Sequence, residues 1–160
     1  MRFLITCFLF LAISGCAATQ YQSKNSNGGY SHTQLSETMF KVNFEGNSYT
    51  SAELAADFAM LRAADLALEN NYSHFFVMDT QSQSKTESYF VPSSTYTYSS
   101  GYSYTTGGFG GVSESPLSSY TIQLTDMKDA PGVIDANFVI KSIEKKYEKR
   151  KLFSDLRKQD

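Results

Sequence analysis

One side chain in this sequence has its chemistry decided by its neighbours. Cys16 follows Ile13, Ser14 and Gly15. Ser14 and Gly15 are small enough for a narrow peptidase cleft, and a Cys thiolate can take a diacylglyceryl group in thioether linkage. Ile13-Ser14-Gly15-Cys16 has the pattern of a bacterial lipobox. Small residues precede the cleavage site of secretory signals in general. The Cys at the first mature position is what makes this pattern specific. Cleavage before Cys16 and acylation of it are therefore expected.

The stretch before Cys16 fits that chemistry. Arg2 and the amino terminus supply a positive start. Residues 3–13 form an apolar run of roughly 11 residues, inside the range of a signal peptide and shorter than the roughly 20 a spanning helix needs. Each buried CH₂ contributes about 0.8 kcal/mol, and one acyl chain binds only marginally. A diacylglyceryl group plus an N-acyl chain makes attachment effectively permanent. Ala17 stands where an Asp would signal retention in the inner membrane, so the outer membrane of a bacterial envelope is the expected location. Cys7 leaves with the signal, so no disulfide is available. The expected partner is a membrane, held through the lipid, with no other cofactor. A net charge of −2 and export both argue against nucleic acid.

Other residue types that could do chemistry are sparse. Catalysis needs a nucleophile, a base and a group that orients them. The imidazoles are His32 and His74; the first lies near the N-terminus and the second starts an apolar run. No G-x-S-x-G elbow occurs. Two histidines without clustered carboxylates make a poor zinc set. Glu45, Asp57, Asp65 and Asp79 are conceivable as a carboxylate pair, but nothing fixes their separation. Arg62 and Asp65 have helical i,i+3 spacing and suggest a structural ion pair. Gly107-Gly108-Phe109-Gly110-Gly111 lacks the Lys-Ser/Thr ending of a phosphate loop. No catalytic and no metal-binding residues are assigned.

Two surfaces are candidates for binding. Lys145, Lys146, Lys149, Arg150 and Lys151 form a basic cluster suited to phosphate-rich headgroups, although Glu144 and Glu148 interleave with it. Tyr96, Tyr98, Tyr102 and Tyr104 alternate about Ser99-Ser100-Gly101. As a hairpin with a three-residue loop ending in Gly, they would share one face. Tyrosine offers a rigid apolar face and a polar tip, suited to a glycan or an envelope protein.

The elements that position these residues follow from periodicity. Residues 17–29 are rich in Ser, Asn, Gln and Gly and predict a flexible tether of roughly 20 Å reach. Residues 30–35 suggest a short extra strand or an ordered arm. Phe40, Val42 and Phe44 alternate with polar residues and predict a half-buried strand, followed by a turn at Glu45-Gly46-Asn47. Leu54, Phe58, Leu61 and Leu68 mark a helix over 50–70, with Thr50 and Glu53 at capping-box spacing and Asn70-Asn71 as a left-handed stop. His74, Phe75, Phe76, Val77 and Met78 fit a strand buried on both faces. Residues 81–119 turn to Ser, Thr, Tyr and Gly, a composition that favours a disordered insertion. Tyr120, Ile122 and Leu124 predict a strand antiparallel to residues 75–78. Ala136, Val139, Ile140, Ile143 and Tyr147 stripe a second helix over 134–151, with Asp135 as its cap.

The expected fold is α+β: a small three- to four-stranded sheet with a βαβ unit and two packed helices, in the order β-α-β-(long Ser/Tyr/Gly loop)-β-α. The expected organisation is a cleaved signal at 1–15, a lipidated Cys and tether at 16–29, and one domain at 30–155 interrupted at about 81–119.

The lipobox, Gly29-Tyr30-Ser31, Phe44-Glu45-Gly46-Asn47, residues 61–69 (LRAADLALE), and Asn71-Tyr72 leading into Phe75-Phe76-Val77 together resemble a family of small, uncharacterised proteobacterial envelope lipoproteins. A weaker echo lies at Ile134-Asp135-Ala136. The resemblance spans the first half of the mature chain and implies lipoprotein status and an α+β core. It implies no activity. A non-enzymatic accessory or interaction module is the leading expectation. A surface-exposed adhesive protein using the Tyr/Ser/Gly segment comes second, and an envelope hydrolase third.

Overall fold

The computed structural model describes residues 17–97, 99 and 101–148. The alternation at residues 40–44 produces a strand, β2 (Met39–Glu45), which pairs antiparallel with β1 (Gly29–Gln34). Helix α1 (Ala52–Glu69) follows, then β3 (His74–Val91), a short hairpin of β4 (Ser94–Thr97) and β5 (Ser103–Thr106), and β6 (Phe109–Thr125). The two-residue β7 (Ile134–Asp135) leads into α2 (Ala136–Glu148).

The fold is α+β, with a five-stranded, mostly antiparallel sheet in the order β1-β2-β6-β3-β7. Two helices pack together, as expected. The strand count and connectivity differ from expectation. Strands β2 and β3 are parallel but do not pair, because β6 lies between them and is antiparallel to both. The expected βαβ unit is thus split by a later strand. The physical reason is that Tyr120, Ile122 and Leu124 supply the apolar face that fills the centre of the sheet.

The core lies on one face of the sheet. Phe40, Val42 and Phe44 of β2, Ile122 and Leu124 of β6 and Phe75 of β3 meet Leu54, Phe58, Leu61 and Leu66 of α1 and Ile140, Ile143 and Tyr147 of α2. Phe58 is its centre. The rings of Phe44 and Tyr147 stand edge-on to it at 5.1 and 5.7 Å. Burial of each such side chain contributes about 1.5–3 kcal/mol. The expectation that residues 74–78 are buried on both faces does not hold, because the opposite sheet face carries no helix. A β-bulge between Val77 and Asp79 leaves Met78 60% exposed.

Helix termination follows the sequence at the C-terminal end of α1 and departs from it at the N-terminal end. Asn71 takes φ 64°, the left-handed exit expected of it. The N-cap is Ser51, not Thr50: its Oγ accepts from Leu54 N at 3.1 Å. Thr50 is recruited elsewhere, as described below. For α2, Asp135 Oδ1 accepts from Phe138 N at 3.0 Å, as a cap should.

Residues 81–119 are the largest departure. The composition favours disorder, yet β3 and β6 remain paired from His74↔Thr125 out to Val91↔Phe109. Beyond Glu45↔Leu117 neither strand has a third partner among the described residues, and they form a two-stranded arm. Backbone hydrogen bonds hold it, and these need no apolar alternation to form. Gly107 turns the chain at φ 84°, where a Cβ would lie 2.2 Å from Pro92 O, so only glycine fits there.

Ser51→Ala should cost about 1 kcal/mol, as loss of an N-cap does. Glu53→Gln should change stability less than Ser51→Ala does, because Glu53 is not the cap's partner. Urea denaturation of the two variants checks the assignment.

Candidate functional site

The residues expected to form a flexible tether are folded into the domain. Thr19 is buried. Its N donates to Thr50 Oγ1 at 2.9 Å, its Oγ1 donates to Asn27 O at 2.9 Å, and Asn47 N donates to that same Oγ1 at 2.8 Å. Asn47 Nδ2 donates to Ala17 O at 2.8 Å. Ala17 and Thr19 are therefore part of the folded domain. The linker-like composition serves a tight turn instead. Asn25 Oδ1 accepts from Asn27 N, and Gly28 and Gly29 take φ 94° and 127°. A Cβ on Gly28 would lie 2.3 Å from Glu45 O.

Tyr21 fastens the segment to the core. Its ring lies 4.8 Å from that of Tyr30 and 5.6 Å from that of Phe58, and its hydroxyl donates to Asp65 Oδ2 at 2.5 Å. Burial first, and the Asp65 carboxylate second, push the phenol far above its usual range. Asp65 is thus taken by Tyr21, and the expected Arg62–Asp65 pair gives way to another. Arg62 is only 8% exposed and binds Glu69, two turns along α1, in a fork of 2.6 and 3.0 Å. Its guanidinium lies 4.9 Å from the Tyr30 ring centroid.

The ends of β2 and of the arm share a chain of charges. Lys24 Nζ is 2.6 Å from Glu45 Oε2, Lys85 Nζ is 3.6 Å from Glu45 Oε1, and Lys85 Nζ is 2.8 Å from Glu87 Oε1. Lys24, mainly by hydrogen bonding, holds the Glu45 carboxyl below its usual range. Asn27, Gly28, Glu45, Asn47, Lys85 and Glu87 help line a shallow polar groove of about 240 Å³ here. Its lysines pair with both carboxylates, which suits contact with a polar surface better than proton transfer.

The other candidate groups are distributed. Asp57 Oδ2 accepts from Lys146 Nζ and from Tyr147 Oη, both at 2.5 Å, which ties α1 to α2. Burial and then that hydrogen bond push the Tyr147 phenol up to about 12. Lys146 is therefore engaged with α1, through Glu53 as well, instead of standing in an open basic cluster. Lys149, Arg150 and Lys151 lie outside the described residues. Asp79 Oδ2 accepts from Gln81 Nε2, two positions along β3, at 3.0 Å. The four carboxylates considered as a pair are therefore dispersed among different partners. His74 is buried, with Nδ1 2.7 Å from Ser73 Oγ and Nε2 4.0 Å from Asp135 Oδ2. His32 lies on β1, and burial, then the Arg62 charge, hold its pKa below the usual value. Among the described residues no three metal-ligating side chains gather, and no helix is long and apolar enough to cross a membrane.

The tyrosine stretch forms a hairpin. Tyr96 faces Tyr104 in register, with rings stacked at 5.3 Å and 22°. On the opposite side Thr95 bonds Thr105 and Thr97 bonds Ser103, each at 2.8 Å. The pairing sums to the symmetry read about residues 99–101, and Gly101 takes φ 83°. Tyr102 is 80% exposed. Tyr98, like Ile13, Ser14, Gly15 and Cys16, lies outside the described residues.

No family model, no curated protein and no solved structure matches this chain. The lipoprotein resemblance rests on the residues that carry it.

Tyr21→Phe should cost about 1–2 kcal/mol through the lost bond to a half-buried carboxylate. Tyr21→Ala should release the segment, and tryptic cleavage after Lys24 should then run about tenfold faster or more. Mass spectrometry of timed digests checks this. The Glu45 pKa is depressed in the folded protein. Its contribution is therefore fully present above the unfolded value of about 4.3 and is lost as pH falls through the lower folded value. An NMR titration of the Glu45 carboxyl should show a midpoint below the usual carboxylate range, returning towards it in Lys24→Met.

Proposed function

We propose that the chain is a lipid-anchored protein of the bacterial outer membrane and acts as a non-enzymatic accessory or interaction module. Residues 1–15 are its cleaved signal, and Cys16 carries the lipid. The observation that carries this reading is Ile13-Ser14-Gly15-Cys16 at the end of an apolar run. Ala17 supports the outer over the inner membrane. The resemblance to small envelope lipoproteins points the same way.

The module's contact surface is the tyrosine tip, which offers stacked, exposed rings at the end of an arm. The groups that could have formed a hydrolytic site are instead engaged with lysines, tyrosines and a neighbouring glutamine, which favours contact over catalysis.

Intact-mass measurement of the protein extracted from bacterial membranes tests the anchor. The expected species begins at Cys16 and carries three acyl chains. Cys16→Ala should lose that mass and leave the membrane fraction. A Cys16→Ala protein that keeps both would overturn the proposal.

A further inference from the structure

Strand β3 leaves one side of the sheet unguarded. Its inner edge pairs with β6 from His74 to Val91. On its outer edge β7 reaches only His74 and Phe75. From Val77 to Val91 that edge has no strand partner among the described residues. A row of unpaired N–H and C=O groups is a template for another strand, and charge is the usual means of blocking it. Here the charge is confined to the root, as Lys85-Thr86-Glu87, and residues 88–113 contain no Lys, Arg, His, Asp or Glu.

The order of the root charges matters more than their presence. Lys85 and Glu87 lie on one face of β3, with Nζ 2.8 Å from Oε1, and the Glu87 side chain is 66% exposed. A like strand laid antiparallel about a two-fold axis through Thr86 meets this pair in reverse. Lys85 of each copy then stands opposite Glu87 of the other, on the same face, where opposite charges stabilise a pairing. Sliding the register by one residue loses both pairs. Sliding it by two sets Lys85 against Lys85 or Glu87 against Glu87, which is destabilising. In the matched register Gln81 of each copy faces Val91 of the other, so every rung falls inside the unpartnered stretch. Pro92 follows, and without an N–H it ends the ladder. Strands β4 and β5 form a sheet of their own beyond it. The outer edge of β6 has no such order, since Glu114 is its one charge between Phe109 and Pro116.

We infer that two copies of this chain join through the outer edges of their β3 strands, antiparallel about Thr86. The two arms then form one four-stranded sheet with a domain at each end. The occupant of the edge is a second copy because the charge order is its own complement under a two-fold axis, as an isologous interface requires. Backbone hydrogen bonds supply the adhesion. The ion pairs are exposed, so they add little to it and select the register. The inference does not depend on the lipid at Cys16.

Cysteine placement tests the register. Opposed Cα atoms in an antiparallel pair lie about 4.5–5.5 Å apart, within the reach of a disulfide. Thr86→Cys puts two thiols in that position across the axis. Ser84→Cys puts them four positions apart along the strands, roughly 13 Å. Full-length variants, purified from bacteria in detergent, are oxidised mildly and resolved by non-reducing electrophoresis beside the unsubstituted chain. Thr86→Cys should give about tenfold more disulfide dimer than Ser84→Cys above that background. Equal crosslinking at both positions, or at neither, overturns the inference. Light scattering across a concentration series tests the charges in the same preparations. Lys85→Glu sets like charges opposite each other twice and should weaken the dimer about tenfold. Lys85→Glu combined with Glu87→Lys should restore it. A double variant no tighter than the single one overturns the register, and an unsubstituted chain that stays monomeric throughout the series overturns the pairing itself.

Discussion

The hydrogen bonds among Thr19, Asn47 and Thr50 are the constraint on which the arrangement depends. They join the segment before β1 to the turn between β2 and α1. Tyr21 then follows into the core beside Phe58, and Gly28 and Gly29 let the chain turn against Glu45 to begin β1. Edge strand, helix N-terminus and arm root thus converge on one knot. A buried backbone N–H left without a partner costs about as much as a lost hydrogen bond. Each group in this knot is satisfied by another member, so the segment docks as a unit.

The domain has a single apolar face and few positions at which to bury it. Its stability leans on aromatic contacts around Phe58 and on polar clasps at the margins of the helices. Lys146 and Tyr147 clasp Asp57 where the helices meet. Arg62 is the more costly case, because a buried guanidinium needs full pairing and its Nε has no hydrogen-bond partner among the described residues. The Glu69 fork and the Tyr30 ring offset that charge. The Tyr30 contact also ties α1 to β1, the strand that the docked segment feeds.

What was legible in the sequence was what neighbours in sequence decide. Alternation at Phe40, Val42 and Phe44, the stripe of α1, the left-handed Asn71 and the Asp135 cap depend on residues a few positions apart. The α+β class and the antiparallel placement of residues 120–125 followed from them. The docked segment was not legible, because Thr19 and Tyr21 find partners 31 and 44 positions away and their surroundings have a linker's composition. The same long-range demand took Thr50 from its apparent cap and gave that place to Ser51. Asp65 sat at ion-pair spacing from Arg62 but was claimed by Tyr21. The paired Gly28-Gly29 beside Tyr30 was the one local signal of close backbone approach. The arm was missed because apolar alternation fails in a ladder held by its backbone. There the packing is a ring on a glycine: Tyr89 covers Gly111, where a Cβ would lie 2.7 Å from the Tyr89 hydroxyl.

A two-stranded arm with both edges open is ordinarily a liability, since unpaired N–H and C=O groups invite other chains. Charge normally blunts such edges, and this arm has charge only at its root. Its outer part combines β-forming Thr and Tyr with glycine and no repulsion. The hairpin at its end is held by its own side chains instead: Tyr96 stacks on Tyr104 on one face, and Thr95 with Thr105 and Thr97 with Ser103 satisfy one another on the other.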